Sequence, residues 1–396
     1  MGSLVAAAAA AVFAFWPQGG LLGQDLYFAN SVDADPAAGA TLDPWCGHRT
    51  YDTHGGEDIT FRSFREIALG VPVFSMTDGT IVEVQDGFFD FRSGPTVTTF
   101  DNHLIVRTAD DRYFVYGHLR RGLTWKRGQG VHAGQQIAWS ASSGNSSWPH
   151  LHLTELVGGA PHELFPGPCN TGGGDSFALA PFRDSTYLRN VVVSPKPLLG
   201  RAQLPWDEAA RTGTFVTGTR DVYVRLELGE YAGGRIAVQI LRGDTPVVSD
   251  GDPTLAPDGV GQGHGLAAFD VRERVPFDRA GAWTLRVLLD GAQLVAAPLR
   301  VVDRPAQVQN RPPYRVGVDV STSGGLAQCV VKTQLAVRDP DYDIVRYRYR
   351  WTVGAKVVRT VTSAMLSDIV RAPAGATPRC QVTPSDGRLS AAPASG

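Results

Sequence analysis

Four short stretches of this 396-residue chain gather the residue types that a hydrolytic metal centre needs. They are His54-Gly55-Gly56-Glu57-Asp58, Tyr116-Gly117-His118-Leu119, the Gly/Ser-rich run from Ala141 to Pro149, and His150-Leu151-His152; together they hold four of the chain's nine histidines. His54, Asp58 and His152 supply two imidazoles and one carboxylate. That donor set suits zinc with one coordination position left for water, which is the catalytic rather than the closed structural arrangement. Each piece alone says little. A single HxGxD is a weak signal, and a lone histidine such as His48, His103, His132, His162 or His264 reads as a surface or satisfied core residue. The weight lies in the set, in order, within one domain-sized segment.

These side chains must be aimed by strands. Alternate residues of a strand share a face, so His150 and His152 look the same way while Leu151 faces a core. On the same rule His54 and Asp58 share a face, with Gly56 leaving room between them. The aromatic and β-branched run from Arg112 to Gly117 reads as a strand that delivers His118 at its end. No HExxH helix, GxSxG elbow or thiol-protease pairing competes with this site.

The series HxGxD, YxHL, a Gly/Ser-rich turn and HLH resembles the lysostaphin-type (LytM-like) zinc metalloendopeptidases, peptidoglycan hydrolases, over about residues 43–181. The turn Asp78-Gly79-Thr80 and the segment Gly130 to Ile137 resemble further parts of that family. The resemblance implies Zn2+ as cofactor, held by His54, Asp58 and His152, and His118 and His150 as unligated catalytic histidines. It implies a peptidoglycan peptide as substrate. His150 is assigned the proton-accepting role and His118 the oxyanion-stabilising role, an order that the sequence leaves open to exchange. The chain departs from the family pattern at Trp148, at Leu153-Thr154 with the acid following at Glu155, and at Ala138; none is a candidate ligand. Two other functions stand beside this one: a non-catalytic wall-binding or regulatory module on the same fold, and a secreted zinc peptidase acting on glycine-rich proteins.

The formal net charge of −2 gives no reason to expect nucleic acid as a partner. The four cysteines include no CxxC pair. Pairing Cys46 with Cys169 and Cys329 with Cys380 keeps each bridge inside one domain, and disulfides would place the protein in an oxidising, extracytoplasmic (secreted or periplasmic) bacterial setting; four free thiols are the alternative. The apolar run Leu4 to Trp16 has signal-peptide length and is too short to span a bilayer, so residues 1–24 read as a secretion signal, although no basic residue precedes it. No later stretch reads as a membrane span.

The expected fold class is all-β: an antiparallel-sheet zinc metallopeptidase domain over 25–198, then two β-sandwich domains over 199–303 and 304–396. In the second unit, Asp221 to Leu228 and Ile236 to Leu241 alternate as strands, and Trp283 to Leu289 with Asp290-Gly291 signals a hairpin. Arg304 to Pro313 reads as a linker. In the third, the spacing of Cys329, Trp351 and Cys380 resembles an immunoglobulin-like sandwich. Asp339, Asp341 and Asp343 alternate in a turn. They suggest calcium, but a solvated turn is the better reading because the remaining ligands are not apparent. The two C-terminal units are expected to place the enzyme on a cell-wall or surface partner.

Overall fold

A computed structural model describes residues 15–94, 100–170, 176–177, 181–198, 210–251, 254–255, 265–333 and 337–396. Most of the expected signal segment, and His264, lie outside these residues. Among them the chain is all-β, with one α-helix, α1 (Phe64–Leu69). No helix of the described residues is long and apolar enough to cross a membrane.

The first unit is an antiparallel sheet built from β1 (Tyr27–Asn30), β2 (Glu57–Thr60), β4 (Gly79–Gln85), β5 (His103–Arg107), β6 (Tyr113–Gly117), β7 (Gly130–Val131), β9 (His150–Val157) and β10 (Ala160–His162). Their order is β1-β2-β9-β6-β5-β4-β7, with β10 folded back on β9. A separate ribbon pairs β3 (Pro72–Phe74) with β8 (Gln136–Trp139). The alternation along β9 works as the sequence indicates: Leu151, Leu153 and Glu155 are turned into the interior and His150, His152 and Thr154 to the other face. The interior continues through Phe28, Ile59, Phe61, Leu104, Phe114 and Tyr116, all buried. Cys46 and Cys169 are joined, with Cα atoms 5.2 Å apart.

The N-terminal segment departs from the sequence reading. Trp16 is buried in this core and packs on Phe165 and Phe177, with ring centroids 6.0 and 5.5 Å away. Gly19 donates to Pro72 O (2.8 Å) and Gly20 to Ser367 Oγ (3.0 Å). Residues 16–24 thus belong to the folded unit, and a signal boundary at 24 would cut through packed structure.

The strand Tyr187–Ser194, placed by sequence in the first domain, pairs instead with Asp221–Gly229 of the second. That second unit has two sheets around one core. One follows the order 187–194, 221–229, 267–274, 254–255; the other follows 214–216, 292–302, 281–289, 236–242, 245–251. The Asp290-Gly291 turn has positive φ at both residues, 49° and 82°, as a two-residue hairpin between right-twisted strands requires.

The third unit also has two sheets, 317–323 with 326–332 and 367–371, and 346–353 with 356–363, 378–385 and 394–395. Cys329 and Cys380 bridge one sheet to the other beside the fully buried Trp351. Residues 304–313 do not hang free as a linker. Arg311 donates from its backbone and guanidinium to Asp341, and Asn310 donates to Asp386 Oδ2 (2.7 Å). Asp341 is therefore paired with a guanidinium, and Asp339 Oδ1 accepts from the Asp341 amide (2.7 Å), as in a self-bonded turn.

The units are docked on one another. Met365 lies in the core of the first unit, and the Leu366 amide donates to Asp25 Oδ2 (2.6 Å). Arg49 forms an ion pair with Glu230 of the second unit (2.6 Å).

Candidate metal centre

β2 and β9 lie side by side with Asp58 directly opposite His152 and Thr60 opposite His150. This register puts the carboxylate and the imidazoles on one face. His54 arrives differently from the sequence expectation. It precedes β2 and lies on a bend whose Thr53 has φ 64°, rather than sharing a strand with Asp58. Gly56 permits the bend to close on β9: a Cβ there would stand 2.6 Å from Leu153 O and 2.8 Å from His152 Nε2.

One ligand atom from each of His54, Asp58 and His152 falls within 4.8 Å of the other two. Their hydrogen bonds define what these atoms offer. His54 Nδ1 lies 2.7 Å from Ser31 O, which can only accept, so Nδ1 carries the proton and Nε2 keeps its lone pair. That Nε2 faces Asp58 Oδ2 at 3.2 Å and His152 Nδ1 at 3.3 Å. His152 turns its other nitrogen, Nε2, to the Thr154 hydroxyl (3.0 Å) and its Nδ1 to Asp58 Oδ1 (2.9 Å). Asn30 Nδ2 donates to Asp58 Oδ2 (2.9 Å) and steadies the carboxylate. Two imidazole nitrogens and a carboxylate thus converge in a largely buried spot. A divalent cation is the group that such a set fits, and the His/Asp chemistry suits zinc.

Burial alone would raise the Asp58 carboxyl, but His54 and His150 beside it hold it well below the usual carboxylate range. Burial depresses His54, and Asp58 more than offsets this, so His54 ends above its ordinary value.

The remaining two histidines flank the trio. His118 follows β6 directly and has φ 54°. Its Nδ1 donates to Ser143 O (2.6 Å), and His150 Nδ1 donates to Trp148 O (2.7 Å). Both rings therefore present Nε2 towards the centre; their centroids are 4.4 Å apart, and His150 Nε2 is 3.4 Å from Asp58 Oδ1. Burial first, then His150, pushes His118 down to about 3, so it is neutral at ordinary pH. The Gly/Ser-rich run thus supplies carbonyls that set histidine tautomers.

Other singled-out residues fall outside the centre. Trp148 Nε1 donates to Phe61 O (2.9 Å) and its ring meets Phe64 edge-on, a structural role. Glu155 accepts from Arg112 (2.8 Å) and His162 (3.0 Å) on the opposite face of β9. Sequence reading missed Asn30, Ser31, Asp101 and Thr154. Of these, only Thr154 carried a signal, since it continues the His150, His152 alternation. Tyr51, 52 % exposed, lies against His54 with centroids 4.3 Å apart, and Phe89 and Phe100, 48 % and 58 % exposed, lie on the loop before Asp101.

Comparison with known proteins accords with this geometry. Residues 53–163 match the model of peptidase family M23. Glycyl-glycine endopeptidase ALE-1 of Staphylococcus capitis is 35 % identical over 89 residues, which cover 22 % of this chain and 22 % of that protein. Peptidoglycan DD-endopeptidase ShyA of Vibrio cholerae is 30 % identical over 108 residues, covering 27 % and 21 %. The chain spans less than a quarter of the length of these relatives. Among solved structures, the catalytic domain of lysostaphin from Staphylococcus simulans is 28 % identical, covering 28 % of this chain and 77 % of that one, with a TM-score of 0.22. The trio and both flanking histidines lie inside the residues matched to peptidase family M23.

Proposed function

We propose that the protein is an extracytoplasmic zinc metalloendopeptidase that hydrolyses peptide bonds in peptidoglycan cross-links. The observation that carries this reading is the convergence of one nitrogen from each of two imidazoles with a carboxylate, within residues that match peptidase family M23 and flanked by two further histidines. The relatives' printed activities, glycyl-glycine and peptidoglycan endopeptidase, support the substrate class.

His54, Asp58 and His152 would hold the metal. When bound, zinc makes water acidic enough to yield its proton near neutral pH and polarises the scissile carbonyl. Asn30, the Ser31 carbonyl and Thr154 keep the three ligands in orientation. We assign His150 the proton-accepting role and His118 the place beside the developing oxyanion, and the two could exchange roles.

The two disulfides support an oxidising compartment, where peptidoglycan also lies. The burial of Trp16 in the first unit's core supports a leader shorter than residues 1–24. The docked C-terminal units are assigned to cell-wall or surface attachment.

Digestion of purified cell walls with and without chelator, followed by mass analysis of the fragments, tests the reading. New peptide termini within cross-links, lost on chelation, are the expected result. Zinc-loaded protein that releases no peptide would overturn it.

A further inference from the structure

Asp101 lies just before β5, outside the metal trio and unused by any step above. We infer that Asp101 is a positioning residue, which holds His118 in its working orientation by gripping the His118 backbone amide, and that His103 holds Asp101 in turn. The inference rests on the reading of His118 as catalytic.

The His118 N–H donates to Asp101 Oδ2 at 2.7 Å. His118 has φ 54°, the left-handed region that a non-glycine residue enters only when its surroundings demand it. That conformation swings the imidazole off the line of β6 and under the turn at Ser143. Removing the carboxylate leaves the amide without its acceptor and releases the constraint on φ.

Asp101 does not form an aspartate–imidazole pair with His118. His118 Nδ1 is 3.7 Å from Asp101 Oδ2, beyond hydrogen-bonding reach, and is already engaged by Ser143 O at 2.6 Å. The tautomer is set by the serine carbonyl and the backbone by the aspartate, so two separate contacts fix one ring. The other oxygen of Asp101 meets His103 Nδ1 at 2.8 Å, and His103 Nε2 reaches Glu83 at 3.2 Å.

The surroundings are shaped to admit this carboxylate. A Cβ on Gly117 would stand 3.0 Å from Asp101 Oδ2, and one on Gly144 would stand 2.5 Å from Asp101 Cβ. Burial pushes the Asp101 carboxyl up, but the bond to His103 first, and the His118 amide beside it, bring it below its ordinary value, which keeps it a charged acceptor at neutral pH.

The test compares full-length wild type with Asp101→Ala, Asp101→Asn and His103→Ala on one cross-linked peptide, with zinc content measured for each. Asp101→Ala is expected to lower kcat about ten- to hundredfold, with KM within about twofold of wild type and zinc still bound at the wild-type level. Asp101→Asn keeps an acceptor oxygen for the His118 amide and is expected to recover most of that loss. His103→Ala is expected to lower kcat several-fold with KM unchanged. Should Asp101→Ala fail to fold, the other two variants decide. The inference is overturned if Asp101→Ala or His103→Ala leaves kcat at wild-type level, if Asp101→Asn loses as much as Asp101→Ala, or if the loss appears in KM or zinc content instead. Wild type that cleaves nothing would instead overturn the functional reading beneath it.

Discussion

Two strand pairs in this molecule obey the same alternation and reach opposite ends. In the C-terminal sandwich, the strand Arg346–Val353 turns Tyr347, Tyr349 and Trp351 inward, all fully buried, and sends its arginines out. Two polar tips of that inward face find partners, Tyr349 Oη donating to Met365 O (2.6 Å) and Trp351 Nε1 to Asp368 Oδ2 (2.9 Å), while the buried Tyr347 hydroxyl has none within hydrogen-bonding reach among the described residues. In the first unit, β9 and β2 turn His150, His152 and Asp58 onto one face, where His54 joins them at similar depth: His54 is 3 % and Asp58 5 % exposed. Burial does not separate the two regions; the chemistry of the inward-facing groups does. The sandwich turns in aromatic side chains, and the sheet gathers two imidazoles and a carboxylate that could hold a metal ion.

The largest effects should come from the ligand trio. His152→Ala or Asp58→Ala should abolish zinc binding and cut peptidase activity by about a thousandfold or more, read by metal analysis and peptide cleavage. Residual activity near wild type would erase the distinction between the two regions. Next come the flanking histidines. His118→Ala and His150→Ala should each lower kcat by about 10²- to 10⁴-fold while zinc stays bound, which separates chemistry from metal holding.

The sandwich should respond in stability and not in chemistry. Trp351→Ala should cost about 3–5 kcal/mol, measured by denaturant unfolding, because it opens a cavity against the inter-sheet disulfide. An equal loss of kcat in the surviving folded protein would show that the regions are not separable in this way.

The smallest effect concerns pH. Burial first, then Asp343 and Asp341, pushes Asp339 up to about 7. The folded state therefore keeps a proton that the unfolded chain gives up near pH 4. The associated stability is fully present below that pH and is lost as pH rises through 7. Asp339→Asn should flatten the fall in melting temperature between pH 5 and 8; an unchanged slope would remove Asp339 as its source.

Much of the centre was legible because its residues sit in short motifs whose strand period is two. His150 and His152 read directly, and Asp58 followed from its spacing to His54, although His54 turned out to lie on a bend that Gly56 allows to close on β9. The supporting groups were not legible. Asn30 is 28 residues from Asp58, and Asp101 is 17 from His118; register alone brings them together. The pairing of Cys46 with Cys169 and of Cys329 with Cys380 was read correctly, since few pairings exist and each fits one unit. The strand Tyr187–Ser194 fell within the expected first domain because its partner, Asp221–Gly229, comes later in the chain and no compositional break marks the change. Arg304 to Pro313 carries the composition of a flexible spacer, but Arg311 and Asp341 tie it down through an ion pair that spacing does not reveal.

The central claim is that two imidazoles and one carboxylate share one ion. Its most direct test is zinc titration of metal-free wild type beside a variant lacking His54, Asp58 and His152. The account predicts one tightly bound zinc per wild-type chain and none in the variant. Equal binding by the two proteins, or no binding by the wild type, would contradict it.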